Sequence, residues 1–246
     1  MKKITTVEEG VKELLEVSEI KGVGPWRLVL AGEGGLTDRL EYDGKSIPLY
    51  FWRSDPRLRS LAGKVVPRIG ELCASKQMCA VPRSFGFERI LYMELDIACM
   101  LLSSQPAYMV ALRNGEAINC ICHMQNDTVA TLELTSALPE GMRWQRKHVV
   151  FGTEGMGCDQ PIGRKIESEA IYLFGENGLD VHTDISMFTY GLSPLQTTMV
   201  DCIYQILTGK IDAGKWAKEE PSLKDWLSVA LAAVETDGRV FVRSGQ

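Results

Sequence analysis

Two stretches concentrate side chains able to do chemistry. The first is Cys120-Ile121-Cys122-His123, three soft-metal ligands within four residues. Alternate side chains of a strand share a face, so Cys120 and Cys122 point together while His123 points away. Cys73, Cys79, Cys99, Cys158 and Cys202 supply no CxxC pair to complete a four-ligand set. The spacing therefore predicts core or interface cysteines rather than a metal centre. The second stretch is Phe87–Ser103, FERILYMELDIACMLLS. Arg89, Met93 and Asp96 fall on one helical face, and Glu88, Tyr92 and Asp96 also line up one turn apart. Such a helix packs into a sheet on one side and shows a chemically mixed row on the other. The other histidines, His148 in KHVVF and His182 in DVHTDI, read as packed or surface side chains. No GxSxG elbow, HExxH helix or P-loop is present. Glu167/Glu169 and Glu219/Glu220 read as solvated charges.

The elements that position these residues are legible from periodicity. In Phe87–Ser103, apolar Phe87, Ile90, Leu91, Ala98, Leu101 and Leu102 recur at helical steps and define a buried face. Thr6-Val7-Glu8-Glu9 is a capping box opening a first helix that Gly22 should stop. Trp26 to Gly32 predicts a short buried strand. The glycines after it, Gly32, Gly34 and Gly35, lack GxGxxG spacing and a following helix, so a plain turn is expected rather than a phosphate loop. Residues 38–53 predict a hairpin around Asp43-Gly44. SDPRLRSLAGKVVPRIGEL has no clean period and predicts a surface excursion with a helical turn. From Pro106 onward, short Val/Ile/Tyr/Thr-rich runs separated by turn residues predict consecutive antiparallel strands. There Ala130, Leu132 and Leu134 face helices, and Thr131, Glu133 and Thr135 form a semi-polar face suited to an interface. Ser193-Pro194-Leu195-Gln196 opens a helix ending at Gly209, Ser222 should cap the last helix, and Val240–Val242 a final strand.

Composition narrows the function classes. A net charge of −5 with no basic stripe argues against a nucleic-acid binder. No apolar run reaches membrane-span length and the start MKKITTVEEG lacks a signal-peptide core. Seven cysteines, an odd number, fit reduced thiols in a cytoplasm better than a disulfide framework.

In this order, the segments resemble the C-terminal half of the glucose-fructose oxidoreductase / myo-inositol dehydrogenase (Gfo/Idh/MocA) family. KKITTVEEGVKELLEVSEIKGV is similar to the segment after the family's E-K-P motif. DTVATLELTSAL and HVVFGTEG resemble its sheet strand and turn, with Gly152-Thr153-Glu154-Gly155 at the turn. SPLQTTMVDCIYQILTG and DWLSVALAAVETDGRVFV are similar to its closing helices and strand. The resemblance covers nearly the whole chain and is thinnest over residues 25–80. It implies an α+β fold: a large open, mostly antiparallel sheet with helices packed on one face. It also implies one domain over residues 1–246, with a leading helix at 1–24, short strands at 25–80 and a sheet-and-helix core at 81–246.

Two departures shape the expected function. The family's NAD(P)-binding Rossmann domain precedes this half, and the sequence begins where the E-K-P lysine would stand; Lys2 is its nearest match. The family's active-site helix carries a D-x-x-x-H pair, and the matching positions here are Arg89 and Met93. Methionine cannot exchange a proton and arginine stays charged. A one-turn slip of the alignment would bring Glu88 or Glu94 into the row, but the helix has no histidine. The expectation is a stand-alone, non-catalytic oxidoreductase-like domain acting in oligomerisation or partner docking, as a homo-oligomer or with a Rossmann-type subunit. One alternative is a subunit of a split NAD(P)-dependent sugar dehydrogenase completed by a separate Rossmann chain. Another is a module binding a sugar or sugar acid at Arg89 and Tyr92. NAD(P) is expected only with a Rossmann partner, and no cofactor, metal, nucleic acid or membrane with this chain alone.

Overall fold

The computed structural model describes residues 4–32, 34–142, 144–159, 170–175, 178–183, 192–236 and 239–241. The chain divides into two compact units, residues 1–56 with 184–220, and residues 57–183 with 221–246.

In the first unit, α1 (Val7–Val17) opens on the expected capping box: Thr6 Oγ1 accepts from the Glu9 amide, and the Glu9 carboxylate accepts from the Thr6 amide. Its buried face is Val7, Gly10, Val11 and Leu15. The helix stops at Val17, short of Gly22, because Val17 and Ile20 find no core and stay exposed. β1 (Trp26–Val29), β2 (Arg39–Tyr42) and β3 (Lys45–Pro48) form an antiparallel sheet. The β2–β3 turn is Asp43-Gly44, both at positive φ, the backbone a two-residue hairpin needs. β1 is an edge strand and only half-buried, not the buried strand its apolar content suggested. The glycine loop after it leads into an antiparallel strand and no helix, as a plain turn should. α4 (Pro194–Leu207) begins with the Ser193/Gln196 capping box and packs against α1 and the turn Phe51–Ser54.

α5 runs Ala213–Thr236 with Pro221 inside it, so the expected start at Ser222 is corrected by nine residues. Burial holds the earlier turns. Trp216 is 6% exposed and packs on Tyr50 with ring centroids 5.5 Å apart. Glu219 and Glu220 are not simply solvated: Glu219 pairs with Arg53, and Glu220 with Arg39 at 2.9 Å.

The second unit is built on a sheet whose described strands run in the order β11-β10-β9-β8-β4-β7-β6-β5-β12. These are β4 (Leu72–Pro82), β5 (Pro106–Asn114), β6 (Ala117–Met124), β7 (Val129–Leu138), β8 (Gln145–Gly152), β9 (Gly155–Cys158), β10 (Ala170–Gly175), β11 (Gly178–Thr183) and β12 (Arg239–Phe241). Only β4 with β7 pairs parallel; the other neighbours are antiparallel. The architecture is the mostly antiparallel α+β sheet expected. β4 itself was not legible, since polar Ser75 and Gln77 sit on its buried face and hide the alternation.

The stretch after Pro56 holds the expected helical turn, but its surface position is corrected. α2 (Pro56–Ser60) continues through tight turns to Arg68, and Leu58, Leu61, Val65 and Ile69 are fully buried rather than on a surface excursion. α3 (Phe87–Leu102) follows Gly86 and ends at Ser103 in the left-handed region, packing on β4 and β7. Its outer row is not outside. Tyr92, Met93 and Glu94 are 0% exposed and Asp96 2%, leaving only Glu88 in solvent and Arg89, Cys99 and Met100 half-buried. Among the described residues no helix is long and apolar enough to cross a membrane.

Candidate functional site

Strand alternation puts Arg146, His148 and Val150 of β8 on the face turned toward α3, beside Ser75, Gln77 and Cys79 of β4. The ladder pairs Gln77 with His148 and Cys79 with Arg146. From α3, Glu94 reaches into this row, and Asp159 enters from the residue after β9. His148 Nδ1 lies 2.5 Å from Asp159 Oδ2, and His148 Nε2 lies 3.1 Å from Glu94 Oε2. The His148 backbone N–H donates to Asp159 Oδ1 at 2.6 Å, while the Asp159 N–H donates to the His148 carbonyl at 3.1 Å. Thus a carboxylate replaces one carbonyl of the β8–β9 ladder. Arg146 Nε lies 3.6 Å from Glu94 Oε1. The three side chains of the bridge are at most 2% exposed.

Charge follows from this geometry. Burial works to lower the His148 pKa, but the carboxylates of Asp159 and Glu94 and their hydrogen bonds outweigh it and raise it to about 9. Burial works to raise that of Asp159, yet His148 and, beyond it, Arg57 hold it below the usual carboxylate range. His148 is therefore an imidazolium at neutral pH, with both ring N–H groups donated to carboxylates. Burial, then the charge of Glu94, pushes the Cys79 thiol well above its ordinary value, so it is no nucleophile at neutral pH. A general base needs a free ring nitrogen within reach of a substrate. This arrangement offers neither and acts as a tie between α3, β8 and the end of β9.

On the opposite face of the sheet, side chains of β4 to β7 stand exposed or half-exposed among the described residues. Burial alternates along β7 as the sequence predicted: Ala130, Leu132 and Leu134 are buried, Thr131, Glu133 and Thr135 half-exposed. Met78 of β4, Leu112 of β5, Ile121 of β6 and Phe151 of β8 share this face and are exposed by 41, 59, 38 and 38%. Lys76 and Glu133 form an ion pair among them at 2.8 Å. Toward β9 and β10 the same face is buried at Val149, Cys158 and Tyr172.

Other expected positions lie apart from both places. Arg89 is half-buried with its guanidinium 4.5 Å from the centre of the Phe85 ring. Tyr92 and Met93 are wholly buried, and Lys2 lies outside the described residues. Cys120 and Cys122 share the buried face with sulfurs 3.7 Å apart, and His123 stacks on Tyr108 on the other side, as the strand period required. Among the described residues no group of metal-ligating side chains could hold an ion. The backbone of His182 lies in β11, and Glu167 and Glu169 fall outside the described residues. The bridge of Glu94, His148 and Asp159 was missed. Its one legible sign is the alternation in QRKHVVFG, which sends an arginine and a histidine to the buried face.

No family model matches the sequence, and no curated protein pairs with it. Solved structures do. An oxidoreductase from Agrobacterium radiobacter, in complex with NAD+, L-tartaric acid and magnesium, is 13% identical with a TM-score of 0.64, covering 80% of this chain and 64% of its own. Levoglucosan dehydrogenase, in complex with NADH and levoglucosan, is 12% identical with a TM-score of 0.58, covering 79% and 65%. The apo scyllo-inositol dehydrogenase from Lactobacillus casei is 14% identical with a TM-score of 0.55, covering 79% and 62%. The chain thus spans less than two thirds of each of these proteins. At such identities the likeness concerns the fold, and this chain has the fold of the inositol and levoglucosan dehydrogenases of the Gfo/Idh/MocA type, over the part of their length it spans.

Proposed function

We propose that this oxidoreductase-like domain works as a docking domain, two copies packing the open faces of their sheets together. One observation carries the reading: Met78, Leu112, Ile121 and Phe151 stand exposed on a single sheet face. The strands β5, β6, β7 and β4 measure roughly 19 by 26 Å at standard strand spacing and rise, or about 500 Å² before side-chain relief, and Lys147 and Phe151 of β8 extend the patch. A standard interface takes about 800 Å² from each partner. Lys76, Lys147 and Glu133 put both signs of charge on the face, so a second copy meets no wall of like charge. A two-fold pairing makes such a patch its own complement. The test is the Ile121→Lys, Met78→Lys double variant. It should keep the wild-type circular dichroism and weaken self-association by at least about tenfold. A folded variant that associates like wild type would remove the reading.

A second reading draws support from the fold's likeness to structures solved with NAD+ or NADH. In it the chain is one subunit of an NAD(P)-dependent sugar dehydrogenase, completed by a separate Rossmann chain. A purified pair that gives no sugar-dependent NAD(P) reduction would remove it. A sugar or sugar-acid ligand at Arg89 and Tyr92 gains no support, since Tyr92 is wholly buried.

A further inference from the structure

β8 is the strand on which the buried bridge and the docking face meet. Arg146, His148 and Val150 point to α3, and Lys147, Val149 and Phe151 point to the open side. Among the described residues, the groups facing the His148 ring are Glu94 of α3, Asp159 after β9, Arg146 of β8 itself, the Cys79 thiol of β4, and Arg57 of α2 beside Asp159. Two carboxylates hold the two ring nitrogens, and a neutral imidazole has only one N–H to share between them. Asp159 is nearer, at 2.5 Å, and is also bonded to the His148 backbone, so Nδ1 keeps the proton. Nε2 then turns a lone pair on Glu94 Oε2 at 3.1 Å, between two side chains at most 1% exposed. Glu94 is wholly buried, and losing the imidazolium proton leaves its carboxylate facing a lone pair, with the Arg146 guanidinium 3.6 Å from its other oxygen.

We propose that the proton on His148 controls the docking face: the bridge it completes holds β8 where Lys147 and Phe151 are correctly presented, and losing that proton weakens self-association. This rests on the docking reading. The sign follows from the charges: self-association is full at neutral and acid pH and weakens as pH rises through about 9.

The experiment is sedimentation velocity of the full chain at pH about 7 and about 10, alongside an NMR titration of the imidazole carbon-bound protons. Wild type should lose about tenfold or more in dimer affinity across that range. His148→Gln has no ring proton to lose and should show no comparable change, which separates this effect from general alkaline titration. Should His148→Gln fail to fold, Glu94→Gln tests the same point, since removing one anion should move the imidazole midpoint and the loss of affinity down together. An imidazole that titrates at its ordinary value, or a dimer equally strong at both pH values, overturns the proposal. A wild type that is monomeric at both, with the imidazole still titrating near 9, overturns the docking reading and this control with it, while the bridge stands.

Discussion

His148 between two carboxylates makes a definite prediction about stability. Its folded pKa lies above the ordinary histidine value, so its contribution is fully present below pH about 6.5 and is lost as pH rises through about 9. By linkage that difference corresponds to roughly 3 kcal/mol. Asp159 acts at the other end: its folded pKa is lowered, so its contribution is present above its unfolded value and is lost as pH falls through the folded one. Urea unfolding across pH should show both losses, and His148→Gln should abolish the alkaline one. Asp159→Asn should cost about 3 kcal/mol at neutral pH by leaving the imidazolium half-paired, checked by the urea midpoint. None of this was legible in the sequence as a constellation. Glu94, His148 and Asp159 come from three elements, and a histidine within KHVVF looks like any packed one. Glu94 came into view only as a neighbour of the Arg89 and Met93 row. What the sequence did not show is that Tyr92, Met93 and Asp96 of the row are buried.

At the scale of elements, capping chemistry and turn chemistry were legible because they are local. The Thr6/Glu9 and Ser193/Gln196 boxes and the Asp43-Gly44 hairpin stand where their residues placed them. Thr6→Ala should therefore cost about 1 kcal/mol, seen as a lower thermal midpoint. Elements whose warrant is tertiary were not legible. β4 carries polar Ser75 and Gln77 inward and gains its place from pairing with β7 and β8. The first turns of α5 form around Trp216 and the pairs of Glu219 and Glu220 with arginines far away in sequence, so Ser222 looked like a cap and is not one. Gly152 closes β8 where the chain after α2 crosses it: an added Cβ would sit 2.1 Å from the Ile69 carbonyl oxygen. That neighbour is backbone and cannot swing aside. Gly152→Ala should destabilise by about 1–3 kcal/mol or more, read from chemical denaturation.

For the whole molecule, the fold class was legible because the order of segments, strand after strand with short turns and then two helices, leaves few architectures. The open face was legible too, from the alternation Thr131, Glu133, Thr135 against Ala130, Leu132, Leu134. Its apolar content was less so, since Met78 lies on the strand that went unrecognised and Leu112, Ile121 and Phe151 are scattered over three others. Only the sheet gathers them. The central claim, that this face binds a second copy, is tested most directly by sedimentation equilibrium of the wild-type chain at micromolar concentration and neutral pH. The account predicts a species of twice the 27.3 kDa chain mass; a single species at the chain mass across the whole micromolar range would contradict it.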